Sequence, residues 1–564
     1  MPRIRISEAL AISALMTCVM PAAAADLPAD TATYIRKAVD GGTYVGVIVG
    51  LVDDGEVVVR AFGVADKARG KAPDADTLWE IGSITKTFTG ALVAGEVIAG
   101  RMKLEEPVQK YLPAGITMQQ FGERPITIGD LATHYSGLPR LPANFVPADP
   151  ADPYASIDEP ALWEMVRTTK PSRAPGTALE YSNFGYGLLG ALIARETGVS
   201  YARLVADRIF RPLGMTRSIV ADGVSQPSGL AQGYDGTGKP VRHWTFKAVP
   251  GLGGIYSSMA DMLAYLRANM AAAAKKGPAT PLREAMALAI QPRADMGRGK
   301  IGLAWVSSPG NKMVAHDGGT YGFSSYIGST PDGRRGVVVL ANALATETTS
   351  ALGAHLIDSA VPLPPLMTEV MLASPKLAEY VGRYAITPEV QVVVTQRGGR
   401  IEVAMAGQPP TTAFASSVDH FYFKIVPVQM HFDRDAAGHI VRLVSHQNGQ
   451  RFRAARIGID GKPVAQPARL ALTPAQLDLY VGRYRMGPEA ILTVAREGDR
   501  LLTQMSGQPA PMPVFSERPD HFQYDLLDAD LDFARDAAGK VVAVTASMGS
   551  KKMRGEKLPE DKAS

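Results

Sequence analysis

Two hydrophobic patterns divide this chain. Up to about residue 360, strand-like and helix-like periods alternate. In "GVIVGLVDDGEVVVRAFG" (46–63) two apolar runs flank "DDGE", which predicts a β-hairpin turning at that tetrapeptide. "YGLLGALIARETG" (186–198) has a helical period and stops on a glycine, a helix with a C-terminal signal. "FSSYIGSTPDGRRGVVVLANA" (323–343) predicts a second hairpin turning at "PDGRRG". Strands at both ends with helices between them predict an α/β domain, one antiparallel sheet flanked by helices.

The last third reads as β throughout, and it repeats. "YVGRY" occurs at Tyr380–Tyr384 and Tyr480–Tyr484, and "GQP" at Gly407–Pro409 and Gly507–Pro509, each 100 residues apart. "DHF" (Asp419–Phe421, Asp520–Phe522) and "RDAAG" (Arg434–Gly438, Arg535–Gly539) recur in the same order after one inserted residue. This is a duplicated module. "VQVVVTQ", "RIEVAMAG", "FYFKIVPVQMHF" and "HIVRLVSHQ" are rich in β-branched and aromatic residues between turn signals, so each copy is expected to be a small antiparallel β-barrel. Proline-containing linkers at 361–375 and 460–468 frame the copies. The organisation expected is a segment 1–25, a first domain over 28–360, and barrels over 373–459 and 473–556.

Composition narrows the class. The chain has 564 residues, 46% of them hydrophobic, and a formal net charge of +4. It is globular, and without a dense basic run no nucleic-acid partner is expected. Arg3 and Arg5, then an apolar run over Ala9–Met20, then small residues at Ala22–Ala25 ahead of Asp26 form the three-part pattern of an export signal. The run is too short to span a bilayer, so a periplasmic or secreted protein is expected. The single cysteine, Cys18, lies in that segment, so the exported chain is expected to hold no disulfide and no thiol nucleophile.

The candidate chemistry starts in "WEIGSITKTFTGALVAG" (79–95). Ser83 and Lys86 are the sole Ser-x-x-Lys in the chain. Residues three apart share a helix face, so hydroxyl and amine meet. Burial against the following apolar turn disfavours the charged amine and makes it a usable base for the serine. Tyr181 and Asn183 stand two apart in "EYSNFGYGLLG", just before the helical pattern. In an extended or turn segment they face the same way. "VAHDGGTYGFSS" ends a strand-like segment at His316-Asp317-Gly318-Gly319, where glycines let a substrate backbone lie along the strand edge. Two lookalikes fail: "GRGKIG" (297–302) lacks a strand-to-helix setting, and "GYDGTGKP" (233–240) has Pro240 where a phosphate loop needs Ser or Thr. No Gly-x-Ser-x-Gly and no His-Glu-x-x-His is present, so neither an α/β-hydrolase elbow nor a zinc site is expected, and no cofactor.

In this order and spacing the motifs resemble those of the penicillin-recognising serine hydrolases, the family of class C β-lactamases, serine DD-peptidases and D-aminopeptidases. The resemblance covers about 40–360, including "ITIGDLATHYSGLPRLP" and "PGTALEYSNFGYGLLGALIA". The tail is similar to the lipocalin-like barrels appended to some members. The resemblance implies a β-lactamase-like domain with a helical subdomain, and an acyl-enzyme at Ser83. Lys86 and Tyr181 share the proton work, with the base left open between them. Asn183, His316 and Gly318 contact the substrate, and the N–H groups of Ser83 and Gly319 form the oxyanion hole. The substrates implied are D-amino-acid peptides or β-lactams, with a carboxylesterase or a slow-turnover penicillin-binding sensor as alternatives. Histidine at 316, where class C β-lactamases have lysine, is mostly neutral near pH 7 and moves weight toward peptidase or esterase action. Small molecules or peptides are the partners expected; homo-oligomerisation is left open.

Overall fold

The computed structural model describes residues 26–559 apart from 143–144, 224–225, 298, 387–389, 406–409, 425–427, 436, 448–449, 459–469, 488–489, 509, 525–528 and 549–550. The segment expected to act as an export signal, with Cys18, the expected linker at 460–468 and the first "GQP" lie outside the described residues.

Both expected hairpins form, and they meet. Strands β1 (Gly46–Asp53) and β2 (Glu56–Gly63) pair from Gly46↔Gly63 to Asp53↔Glu56. Asp54 (φ 48°) and Gly55 (φ 93°) make the two-residue turn whose positive φ values suit the strand twist. Three short strands follow, β3 (Ala294–Asp295), β4 (Lys300–Ile301) and β5 (Val306–Ser307), then β6 (Val314–Thr320), β7 (Phe323–Ser329) and β8 (Arg335–Ala341). The antiparallel sheet runs β2-β1-β8-β7-β6-β5-β4-β3. Central strands read as unbroken apolar runs because both faces are covered. Val337 and Val339 enter one core with helices α1 (Ala29–Asp40) and α5 (Thr346–Ile357) through Ile35, Ala38, Leu352 and Leu356. Val338 and Leu340 enter the other with helix α4 (Met259–Ala273) through Met259, Met262 and Leu266. Each such side chain contributes about 1.5–3 kcal/mol by leaving water.

The tail forms two closed eight-stranded antiparallel barrels, spanning Gly382–Ile457 and Gly482–Lys557. The repeated motifs meet in space. Tyr380 OH donates to Asp419 Oδ1 (2.9 Å), Arg434 grips the same carboxylate, and Tyr384 OH donates to Tyr380 O (2.7 Å). In the second copy Tyr480, Asp520, Arg535 and Tyr484 repeat the cluster at 2.8, 2.9 and 2.7 Å. Beneath each lies an aromatic trio, Tyr380–Phe421–Phe432 and Tyr480–Phe522–Phe533. "YVGRY", "DHF" and "RDAAG" are therefore one tertiary cluster written as three segments.

The helical half surrounds α2 (Thr85–Ile98), which is apolar almost all round and buried along most of its length. It packs against α3 (Asn183–Thr197) and the helix Pro281–Ile290. At Gly90 the approach is closest: a Cβ there would stand 2.4 Å from Leu303 O, a backbone atom with little room to move. Glycine in a helix interior is ordinarily about 1 kcal/mol worse than alanine. Here the sign reverses, and Gly90→Ala is expected to destabilise the domain by about 1–3 kcal/mol through overpacking. All four tryptophans (Trp79, Trp163, Trp244, Trp305) precede the barrels, so fluorescence-monitored melting reads this domain alone. A Tm for Gly90→Ala equal to or above wild type contradicts the close approach.

Candidate active site

A small sheet delivers the serine. Strand Leu78–Glu80 pairs with Ile255–Ser258 and runs directly into the 3₁₀ turn Gly82–Ile84, which carries Ser83. Gly82 has φ 49°, and a Cβ on it would sit 2.7 Å from Gly319 N, so a side chain would push the turn off strand β6. From the other side, a Cβ on Gly318 would meet Ile81 O at 2.1 Å and Ser83 N at 3.0 Å. Ser325 Oγ fastens the same turn by donating to Ile81 O (2.8 Å). Helix α2 starts two residues after Ser83, with Lys86 in its first turn.

Lys86 is fully buried. Its Nζ lies 3.0 Å from Ser83 Oγ, 3.0 Å from Asn183 Oδ1 and 2.5 Å from Leu252 O. Burial holds the amine well below the usual lysine range; Arg140 pushes it the same way, and Asp317 opposes. The geometry suits the uncharged form. Asn183 Oδ1 and Leu252 O can only accept, so they take both N–H groups of a neutral amine. Its lone pair then faces the Ser83 hydroxyl.

Tyr181 and Asn183 enter the cluster from the start of α3. Asn183 is the first helical residue rather than part of an extended stretch, because Ser182 caps the helix: its Oγ accepts from Gly185 N (2.9 Å) and donates to Pro139 O (2.8 Å). The phenol of Tyr181 is held above its ordinary value by burial, with a hydrogen bond to Ser83 acting against it. Its ring lies 5.1 Å from Lys86 Nζ. Asn183 Nδ2 donates to Tyr154 OH (2.9 Å), which fixes the amide with its oxygen toward the lysine.

Strand β6 supplies the third wall. His316 and Gly318 share the face toward Ser83. His316 is buried, and its Nδ1–H donates to Asp317 O (2.6 Å), which leaves Nε2 as the unprotonated nitrogen. Burial depresses its pKa, Asp317 opposes that, and Lys86 adds to it. Strand β5 pairs with β6 only at Val314 and Ala315, so the outer edge beyond Ala315 is open among the described residues. An open strand edge is a surface to which an extended peptide can add. Among the described residues no three His, Cys, Asp or Glu side chains stand where they could hold a metal ion. No helix there is long and apolar enough to cross a membrane.

The beta-lactamase family model matches residues 31–361, more than half of the chain. The chain belongs to the beta-lactamase family. A beta-lactamase of Pseudomonas fluorescens is 29% identical over 371 residues, 58% of this chain and 99% of that protein. The D-alanyl-D-alanine-carboxypeptidase/endopeptidase AmpH of Escherichia coli (strain K12) is 27% identical over 318 residues, 53% of this chain and 80% of its own length. A solved class C beta-lactamase aligns with a TM-score of 0.51 at 25% identity, over 60% of this chain and 97% of that structure. The domain is thus a serine hydrolase of the penicillin-recognising type. A second family model, a domain of unknown function (DUF3471), matches 466–557, the region of the second barrel.

Three site neighbours escaped the motif reading: Tyr154, Leu252 through its carbonyl, and His134. The His134 ring lies 4.2 Å from that of Tyr181, and its Nδ1 accepts from Ser182 N (3.1 Å). Tyr154 gives the cleanest test. Tyr154→Phe strands a buried amide N–H of Asn183, a loss of about 1–3 kcal/mol, and frees the amide to turn. A fall in kcat/KM of about tenfold or more, together with a Tm lowered by a few degrees, is expected; unchanged kcat/KM means that Asn183 needs no such anchor.

Proposed function

We propose that this family member is an exported acyl-transferring hydrolase that cleaves amide bonds of D-amino-acid peptides or β-lactams through an ester of Ser83. The observation that carries this reading is the 3.0 Å contact between the buried Lys86 amine, held by burial well below the usual lysine range, and the Ser83 hydroxyl. The amine takes the hydroxyl proton while Oγ bonds to the substrate acyl carbon. The N–H groups of Ser83 and Gly319 receive the developing oxyanion. The proton then passes to the leaving nitrogen, with Tyr181 as the relay, and the C–N bond breaks. Water attacks the ester, yielding the carboxylic acid and restoring Ser83. Lys86 rather than Tyr181 is the resting base in this scheme, because burial pulls the amine down toward its neutral form and pushes the phenol up toward its protonated one. Asn183 and His316 orient the substrate along the open edge of β6. The signal-like residues 1–25 support action outside the cytoplasm. The domain at 28–360 carries the chemistry, and the barrels at 373–459 and 473–556 are non-catalytic.

One observation favours a second reading, a carboxylesterase. The neutral His316 offers no fixed positive charge for the carboxylate that β-lactams and C-terminal peptides present.

Two measurements test the scheme. Ser83→Ala abolishes covalent labelling by a fluorophosphonate or a penicillin, with turnover down by on the order of 10⁶; an adduct on any other serine refutes the nucleophile. In the wild type, kcat/KM rises with pH through an apparent pKa well below the ordinary lysine value of about 10.4. Lys86→Arg, whose side chain stays charged, is inactive across that range. A rising limb that survives Lys86→Arg assigns the base elsewhere.

A further inference from the structure

A cation stands at the mouth of this site without a partner. Arg140 lies in "GLPRLP", a segment fixed to the start of α3 by Ser182 Oγ donating to Pro139 O (2.8 Å) and Phe184 N donating to Arg140 O (3.1 Å). Its side chain is exposed, with the guanidinium 5.5 Å from the centre of the Tyr181 ring. Among the described residues it donates no side-chain hydrogen bond and forms no ion pair. Its field still reaches the reacting groups: Arg140 acts on Lys86, Tyr181, Tyr154 and His134. A guanidinium has five N–H donors and a geometry matched to two oxygens, and an unused one beside a nucleophile is a ready acceptor site for a carboxylate.

The opposite wall has the other sign. Asp317 is exposed on β6 between His316 and Gly318, and its carboxylate accepts from a hydroxyl, Ser350 Oγ donating at 2.8 Å. Glu347, at the start of α5, lies close enough for Asp317 to help raise its pKa, after burial. This side of the mouth therefore presents the His316 imidazole on one face of β6, and on its other face and on α5 the carboxylates of Asp317 and Glu347. An anionic group entering this mouth is repelled on the β6 side and attracted on the Tyr181 side.

Resting on the acyl-hydrolase reading above, we propose that Arg140 is the specificity residue that binds a carboxylate on the leaving portion of the substrate, from the Tyr181 side of the cleft rather than from β6. The class of substrate is then one whose departing part carries a carboxylate, as the end of a peptide does, and the vacancy left by a neutral residue 316 is filled from another element.

The test compares two esters of phenylacetic acid, one leaving as m-hydroxybenzoate and one as m-hydroxybenzamide, so that only the charge differs. An activated aryl ester reports on acylation of Ser83 under either the peptidase or the esterase reading. The wild type is expected to favour the benzoate ester, a preference that shrinks as salt rises. Arg140→Gln lowers the benzoate-to-benzamide ratio of kcat/KM by about tenfold to a hundredfold, the size of a hydrogen-bonded charge pair. Arg140→Lys keeps an intermediate ratio. An unchanged ratio in Arg140→Gln overturns the proposal. So does a parallel fall for both esters with a shifted pH profile, which assigns Arg140 to tuning Tyr181 instead. If the wild-type enzyme turns over neither ester and Ser83 takes no fluorophosphonate, the hydrolase reading itself fails, and this inference with it.

Discussion

Everything in this hydrolase domain is arranged around keeping one amine dry. A lysine ammonium brought into an apolar interior loses its hydration and is stable there only with a counter-charge. Among the described residues Lys86 has none in contact: its hydrogen-bond neighbours are a hydroxyl, an amide oxygen and a peptide carbonyl. Burial accordingly holds the amine well below the usual lysine range, as the proposed base role toward Ser83 requires. The apolar turns of α2 and the aromatic rings of Tyr181 and Tyr186, 5.1 and 5.7 Å from Nζ, are the means by which water is excluded.

The same constraint explains why the site sits at a seam. No single element can surround an amine with acceptors. The serine turn and Lys86 come from the start of α2, Asn183 from the start of α3, the Leu252 carbonyl from the segment before Ile255–Ser258, and the glycines from β6. Each is pinned by a local feature: a positive-φ glycine at 82, a serine cap at 182, an open strand edge after Ala315. Glycines at 82 and 318 bring the β6 backbone within reach of Ser83, where any side chain would hold the two halves apart.

Much of this was legible in the sequence, for reasons that differ by element. The hairpins over 46–63 and 323–343 were, because their turns are chemically specific and their strands adjacent. Ser83 and Lys86 were, because i and i+3 on a helix meet without tertiary help. Tyr181 and Asn183 were found, although the spacing argument treated them as one extended stretch and the Ser182 cap places Asn183 inside the helix. Tyr154 and His134 were not, because their contacts with Asn183 and Ser182 span 29 and 48 residues and no local period marks them. In the first barrel, "FYFKIVPVQMHF" reads as one apolar segment but contributes two strands, His420–Tyr422 and Val428–Arg434. Gln450–Ile457, "QRFRAARI", is too polar to announce itself; its place is set by pairing with Ile440–Gln447 and with the barrel's first strand.

The duplicated barrels carry a consequence for how the chain reaches its native state. Each barrel is closed by its first strand pairing with its last, Arg383↔Ile457 in one and Tyr484↔Lys557 in the other. Both ends of both copies are thus open edges until closure, in tandem on one polypeptide, with the same tyrosine–aspartate–arginine cluster available to either. An edge from one copy meets nearly the same template in its neighbour, the circumstance in which tandem repeats exchange strands. Emergence of the chain N-terminus first, from the ribosome or across a membrane, separates the two events in time: the first barrel's closing strand is available before the second barrel's opening strand, so native closure has a head start that refolding from denaturant lacks.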